Sequence, residues 1–239
     1  DATGYELINE GKFDPYLPKD EDKKFDINQP RDCDSCKFGI LISGGGDAAN
    51  NHPGFWEDIE NLYKHKVNNE NYCPQNVKVI YYDGNSGDTS EIPDSMVSSA
   101  TEANIQAAHD EIARKIAECS RNGKDATVQK MVSNHGEDGD GIVLLDTNYL
   151  TGGELREQQQ KLIDSCCKYM YDEMTQCFGG QIIDSLKNLN DKNKTEIHAN
   201  SAASSDALGW GDGAGSPFLL KKIERLAAGD DYESAVDSA

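Results

Sequence analysis

Apolar residues in this chain fall into short runs closed by glycine turns and into longer stretches with helical spacing. Phe38-Gly-Ile-Leu-Ile42 is a continuous apolar run bounded by turn residues, the pattern of a strand buried on both faces. Val77–Tyr82 and Ala126–Val132 predict a second and a third strand. Between the first strand and the second, Trp56, Ile59, Tyr63 and Val67 share one helical face behind Pro53, a residue suited to a first helical turn. Ile105, Ala108, Ile112, Ile116 and Cys119 line a second helix that Gly123 would stop, with Ser99 and Glu102 read as its capping box. Thr151 and Glu154 form another such box, ahead of a helix carrying Leu155, Leu162, Ile163, Cys166 and Met170. Ile142–Leu145 reads as a short strand or a hairpin arm. Tyr171–Cys177 is expected to be a strand although Asp172 and Glu173 spoil its pattern. Glu196–Asn200 gives one more strand, and Phe218–Leu226 a closing amphipathic helix.

Strand and helix patterns that alternate in this way predict an α/β fold with a mostly parallel sheet covered on both faces. Chemistry in such sheets collects at the carboxyl ends of the strands. Three segments lie just past such ends: the turn carrying His135 and Gly136, the turn carrying Cys177, and Ser201–Asp206. A cysteine acts as a nucleophile only as the thiolate, so a base beside it is required, and the two partners need not be close in sequence.

Composition narrows the picture. The chain has 239 residues, 36% apolar, with a net charge of −20. That charge opposes binding to nucleic acid or anionic lipid, and no apolar run is long enough to span a bilayer. Residues 1–36 are polar and proline-containing and read as an extended arm ahead of a domain over 37–239. The start at Asp1, without Met, fits either a trimmed chain or a mature secreted form, and a secreted or cell-surface bacterial protein is expected ahead of a cytoplasmic one. Cys33-Asp-Ser-Cys36 is a CxxC motif lacking a second pair at zinc spacing, so a local disulfide or two plain thiols is expected. Beyond Cys177 six cysteines remain; they allow three disulfides in fifteen pairings, or most are free and buried. The glycine-rich loop Ser43–His52 lacks the spacing of a nucleotide motif. The Asp- and Asn-rich loop Asp83–Thr89 lacks the twelfth-position glutamate of an EF-hand, which leaves a structural calcium ion as an alternative to a plain surface loop. His109, beside an apolar stripe, reads as structural or exposed.

Strand, Asn134-His135-Gly136, a short apolar segment, a capped helix, then strand and Gln176-Cys177-Phe-Gly-Gly180 resembles the caspase-like (clan CD) cysteine peptidases, the group of legumains, caspases, metacaspases, clostripains and gingipains. Bacterial legumain-like sequences are the nearest in spacing. The similarity covers about residues 37–210, with Gly179 where relatives usually have Ser. It implies a caspase-like three-layer α/β/α sandwich and a cysteine endopeptidase that requires no cofactor. Cys177 would be the nucleophile and His135 the acid/base, with Gly136 and Cys177 N–H groups as the oxyanion hole. Asn50 or Asn51 would orient the imidazole, and His52, Thr175, Gln176, Ser204, Asp206 and Trp210 would line the substrate pocket. The partner is then a peptide or protein. An acid at Asp206, with no Arg in the pocket segments, favours cleavage after Lys or Arg, with Asn the second choice. A transpeptidase or ligase with the same dyad, a non-catalytic scaffold of the same fold, and a calcium-binding module are the competing expectations.

Overall fold

A computed structural model describes residues 33–85, 91–139, 141–187, 189–206, 216–230 and 232–237. At its centre is a parallel six-stranded sheet. The chain enters through β1 (Lys37–Ser43), passes along α1 (Pro53–Asn68) to β2 (Val77–Tyr81) and reaches a two-residue edge strand, β3 (Val97–Ser98). It then returns through α2 (Glu102–Arg121) to β4 (Thr127–Val132) on the other side of β1. A small antiparallel sheet follows, built of β5 (Gly136–Glu137), β6 (Gly141–Val143) and β7 (Tyr149–Thr151). Helix α3 (Gly152–Asp164) leads to β8 (Tyr169–Met174), and α4 (Gly179–Leu186) leads to β9 (Glu196–Ser201). The described chain closes with α5 (Pro217–Ala227) and α6 (Tyr232–Asp237). The strand order is β3-β2-β1-β4-β8-β9, so the direction of winding reverses between β1 and β4.

Side-chain alternation along the strands divides the interior into two layers. Phe38, Ile40, Ile42, Val128 and Val132 face α2, α3 and α4, meeting Ile105, Ile112, Ile116, Leu155, Leu162 and Ile182. Leu41, Val77, Val79 and Met131 face α1 and α5, meeting Ile59, Leu62, Tyr63, Leu219 and Ile223. Each such aliphatic side chain contributes about 1.5–3 kcal/mol by leaving water. Helices on both faces of one parallel sheet make the α/β/α sandwich that the sequence pattern predicts. No helix among the described residues is long and apolar enough to cross a membrane.

The unpromising strand forms because its charges find partners on opposite faces. Asp172 is paired with Lys130, its register neighbour on β4, at 2.9 Å, and Gln159 of α3 bridges the two side chains. Glu173 points the other way and is paired with Lys222 of α5, with Gln129 donating to it as well. All six side chains are buried.

Several expectations change. Cys33 is bonded to Cys73 and Cys36 to Cys119, so the CxxC makes neither a local bridge nor two free thiols, and four of the seven cysteines are oxidised. The reason is topological: residues 33–36 lie between the turn before β2 and the end of α2, each of which offers a thiol. The N-cap of α2 is Thr101, whose side chain accepts from Asn104 N–H; Ser99 instead accepts from the Asn104 carboxamide at 2.9 Å. Helix α3 stops at Asp164, with Cys166 at φ 70° in the turn and Met170 already in β8. The Thr151–Glu154 capping box is present, and His109 is fully buried in α2.

Candidate active site

The loops that follow β1, β4 and β8 meet at the carboxyl edge of the sheet, next to the point where the winding reverses. Binding sites of doubly wound sheets form at such a point. Ladder bonds run past the strand ends, Ser133 N–H to Ile42 O and Thr175 N–H to Val132 O, so the three loops start from fixed positions. Ser133 also donates its hydroxyl to Asp58 of α1, whose other oxygen accepts Ser216 N–H at 2.8 Å. Asn134 closes the next turn: its oxygen accepts His135 N–H at 2.7 Å and its amide donates to Val143 O. An Asx residue makes such local bonds readily, which explains Asn at this position.

The imidazole of His135 is held on three sides. Its Nε2 lies 2.8 Å from Asn50 O. A carbonyl can only accept, so Nε2 carries the proton and Nδ1 keeps the lone pair of the neutral ring. Phe55 packs edge-on at 5.0 Å between ring centroids, and His52 at 5.3 Å. The residue that engages the imidazole is thus Asn50, through its backbone. Asn51 is turned away and donates its amide to Tyr81 Oη at 2.8 Å.

Gly136 links the two halves of the site. A Cβ at this position would overlap the carbonyl of Cys177, so only glycine allows the two backbones to approach. The hairpin bond runs from Val143 N–H to His135 O at 3.1 Å. Gly136 therefore faces Ile142 as a non-hydrogen-bonded pair, and its own N–H is not used by the ladder.

Cys177 stands in the tight turn between β8 and α4, partly exposed, as His135 is. Phe178 adopts the left-handed conformation at φ 55°, and Gly179 N–H returns to Gln176 O at 3.3 Å. At Gly179 a Cβ would overlap Ser201 Oγ, and at Gly180 it would strike the backbone of Ser204 and Ser205. Glycine at position 179 thus has a local cause: Ser201 already fills the space that a side chain would take.

The proposed pocket residues separate into groups. His52 lies against His135 on the surface. Thr175 is buried, with its hydroxyl turned back onto Val132 O at 3.2 Å. Gln176 is 1% exposed, and its carboxamide has no hydrogen-bond partner among the described residues. An unpaired buried amide of this kind costs about 1–3 kcal/mol. Ser204 and Asp206 are exposed and joined to each other at 2.7 Å, Ser204 donating. Trp210 lies outside the described residues. Among the described residues no group of three or more His, Cys, Asp and Glu converges as a metal site; Asp83 accepts Asn85 N–H in a local turn, and the rest of that loop lies outside them.

One residue that the sequence did not single out is Gln181, in the first turn of α4. Its carboxamide oxygen accepts Gly139 N–H at 3.1 Å, and its nitrogen donates to Asp138 Oδ1 at 3.1 Å and to Ser205 O at 2.7 Å. Lying four residues past the cysteine, one helical turn into α4, was the only available signal. At the opposite edge of the sheet a polar cavity of about 440 Å³ is lined by Asp34, Ser35, Asn71, Lys124, Asp125 and the disulfide-bonded Cys33 and Cys36, a set with neither a free thiol nor an imidazole. In comparisons with known proteins, no family model and no curated protein matches this chain.

Proposed function

We propose that the chain is a cysteine peptidase of the caspase-like kind. Cys177 Sγ gives its proton to His135 Nδ1 and attacks the scissile carbonyl carbon. His135 returns the proton to the leaving amine, and a water then hydrolyses the thioester with His135 again as base. The observation that carries this reading is the His135–Asn50 hydrogen bond, which leaves Nδ1 basic on the strand end next to the one bearing Cys177. The Gly136 N–H left out of its ladder, close against Cys177, supports a role in holding the tetrahedral oxyanion. Such a donor is worth roughly 3–4 kcal/mol in the transition state.

The surroundings favour a cationic substrate. Among the described residues, the loops at this edge, 44–52, 82–85, 91–96, 133–139, 141–148, 175–181 and 202–206, contain none of the 23 lysines and arginines but include Asp47, Asp83, Glu137, Asp138 and Asp206. A field of one sign attracts the opposite charge and raises its encounter rate. Cleavage after Lys or Arg is therefore the reading, with Asn second. Two disulfides suit an oxidising compartment and so a secreted or cell-surface protein. A panel of fluorogenic peptides varied only at the cleaved residue tests the function: Lys and Arg peptides should be hydrolysed fastest, and Cys177→Ala should abolish turnover. Full turnover by Cys177→Ala would refute the assignment.

A further inference from the structure

We propose that Gln181 is a positioning residue that sets the width of the substrate groove, a role that rests on the peptidase reading above. All three polar groups of its carboxamide are committed. The oxygen takes Gly139 N–H, one N–H goes to Asp138 Oδ1, and the other goes to Ser205 O. The first two partners sit at the tip of the β5–β6 hairpin, which starts at His135 and Gly136. The third belongs to the loop after β9, which carries Ser204 and Asp206. Both walls of the site are thereby tied to the helix that begins two residues after Cys177. The loop after β9 is fastened to the same turn by Gly180 N–H to Ala203 O at 3.1 Å, so Gln181 is the element that adds the hairpin to this assembly. Only an amide fits. A carboxylate would put acceptors against Asp138 and Ser205 O, and a thioether would supply no donor. Gly139, at φ 108°, is the residue that allows its N–H to turn toward α4.

The test compares Gln181→Met, Gln181→Glu and Gln181→Glu with Asp138→Asn. Hydrogen exchange is the first readout and needs no activity. Gln181→Met should speed exchange at least 10-fold in both 136–141 and 202–206 while β4 and β8 stay protected. Adding Asp138→Asn to Gln181→Glu supplies a donor toward the new carboxylate, so it should restore the hairpin and leave the loop after β9 loosened. The second readout is kinetic: Gln181→Met should raise KM for a Lys peptide about 10-fold, while alkylation of Cys177 by iodoacetamide stays within two-fold of the wild type. Unchanged exchange in both segments, or loosening of the whole sheet alike, would overturn the proposal. If the exchange pattern holds and no peptide is cut by the wild type, the clamp stands and the peptidase reading fails.

Discussion

Lys130 and Asp172 are directly opposed on adjacent strands, 2.9 Å apart and each 1% exposed, five residues before His135 and Cys177 respectively. A shift of β8 by one residue would turn Met170 and Asp172 to the other face and break the Lys130–Asp172 pair. The pair therefore fixes the register in which the base and the thiol arrive at the edge of the sheet. Its strength is less telling than its position, because desolvation cancels much of the attraction between buried charges.

Lys130→Met should destabilise the protein by about 3–5 kcal/mol, since Asp172 is left buried without its cation. Adding Asp172→Leu should recover most of that loss, to within about 2 kcal/mol of the wild type. Urea unfolding of the two single variants and the double variant measures both. Two single losses that merely add would contradict the pairing.

The fold was largely legible in the sequence, and the reason is visible in particular residues. Ile40, Leu41 and Ile42 alternate between the two layers, so their unbroken run could only be a strand covered on both sides. The strand carrying Asp172 and Glu173 was hard to read because the partners that neutralise them come from elsewhere, Lys130 on β4 and Lys222 on α5. The disulfides were not legible for the same reason: Cys73 and Cys119 are neighbours of the CxxC only after β1, β2 and α2 have packed. At the site, position just past strand ends suggested His135 and Cys177, the resemblance added Gly136, and the fold brings all three to one edge. It could not suggest that Asn50 acts through its carbonyl, because a backbone oxygen leaves no mark on residue type.

Gly179→Ser tests the local account of the turn. The added hydroxymethyl group collides with Ser201 Oγ, and overpacking of this kind costs about 1–3 kcal/mol. Ser201→Gly should relieve the collision, so the double variant should melt above Gly179→Ser alone. An undisturbed melting temperature for Gly179→Ser would show that the space is not filled.

Acid should weaken the fold in two stages. Burial, reinforced by the charge of Lys130, holds His109 down from 6.5 to about 3. Burial alone would raise Glu70, but the hydrogen bond from His65 and the charge of Lys66 outweigh it and hold the carboxyl down from 4.5 to about 2. Both folded values lie below the unfolded ones, so both contributions are complete above the unfolded value and are lost as pH falls. His109 acts between about pH 6.5 and 3, Glu70 between about 4.5 and 2. Each group costs at most about 1.4 kcal/mol per pH unit within its window. Unfolding free energies from pH 7 to 5 should fall in the wild type and stay nearly flat in His109→Leu. Equal slopes would contradict the burial of a neutral imidazole.

The thiols should differ in reactivity. Burial pushes Cys167 up to about 12, so it stays protonated and shielded, while Cys166 is exposed and Cys177 partly so. Native protein treated with iodoacetamide at pH 8 should be modified at Cys166 and Cys177 and spared at Cys167. Unfolded protein should take up three groups without reductant and all seven after reduction. Five or more groups without reductant would exclude one of the two disulfides.

The most direct measurement is covalent capture at the site. A peptide ending in Lys and bearing an acyloxymethyl ketone is incubated with Cys166→Ser protein, and the modified residue is located by mass spectrometry. Modification of Cys177 alone, at a rate that falls at least 100-fold in His135→Ala, is the expected result. No modification of Cys177, or an equal rate in His135→Ala, would contradict the pairing of thiol and imidazole.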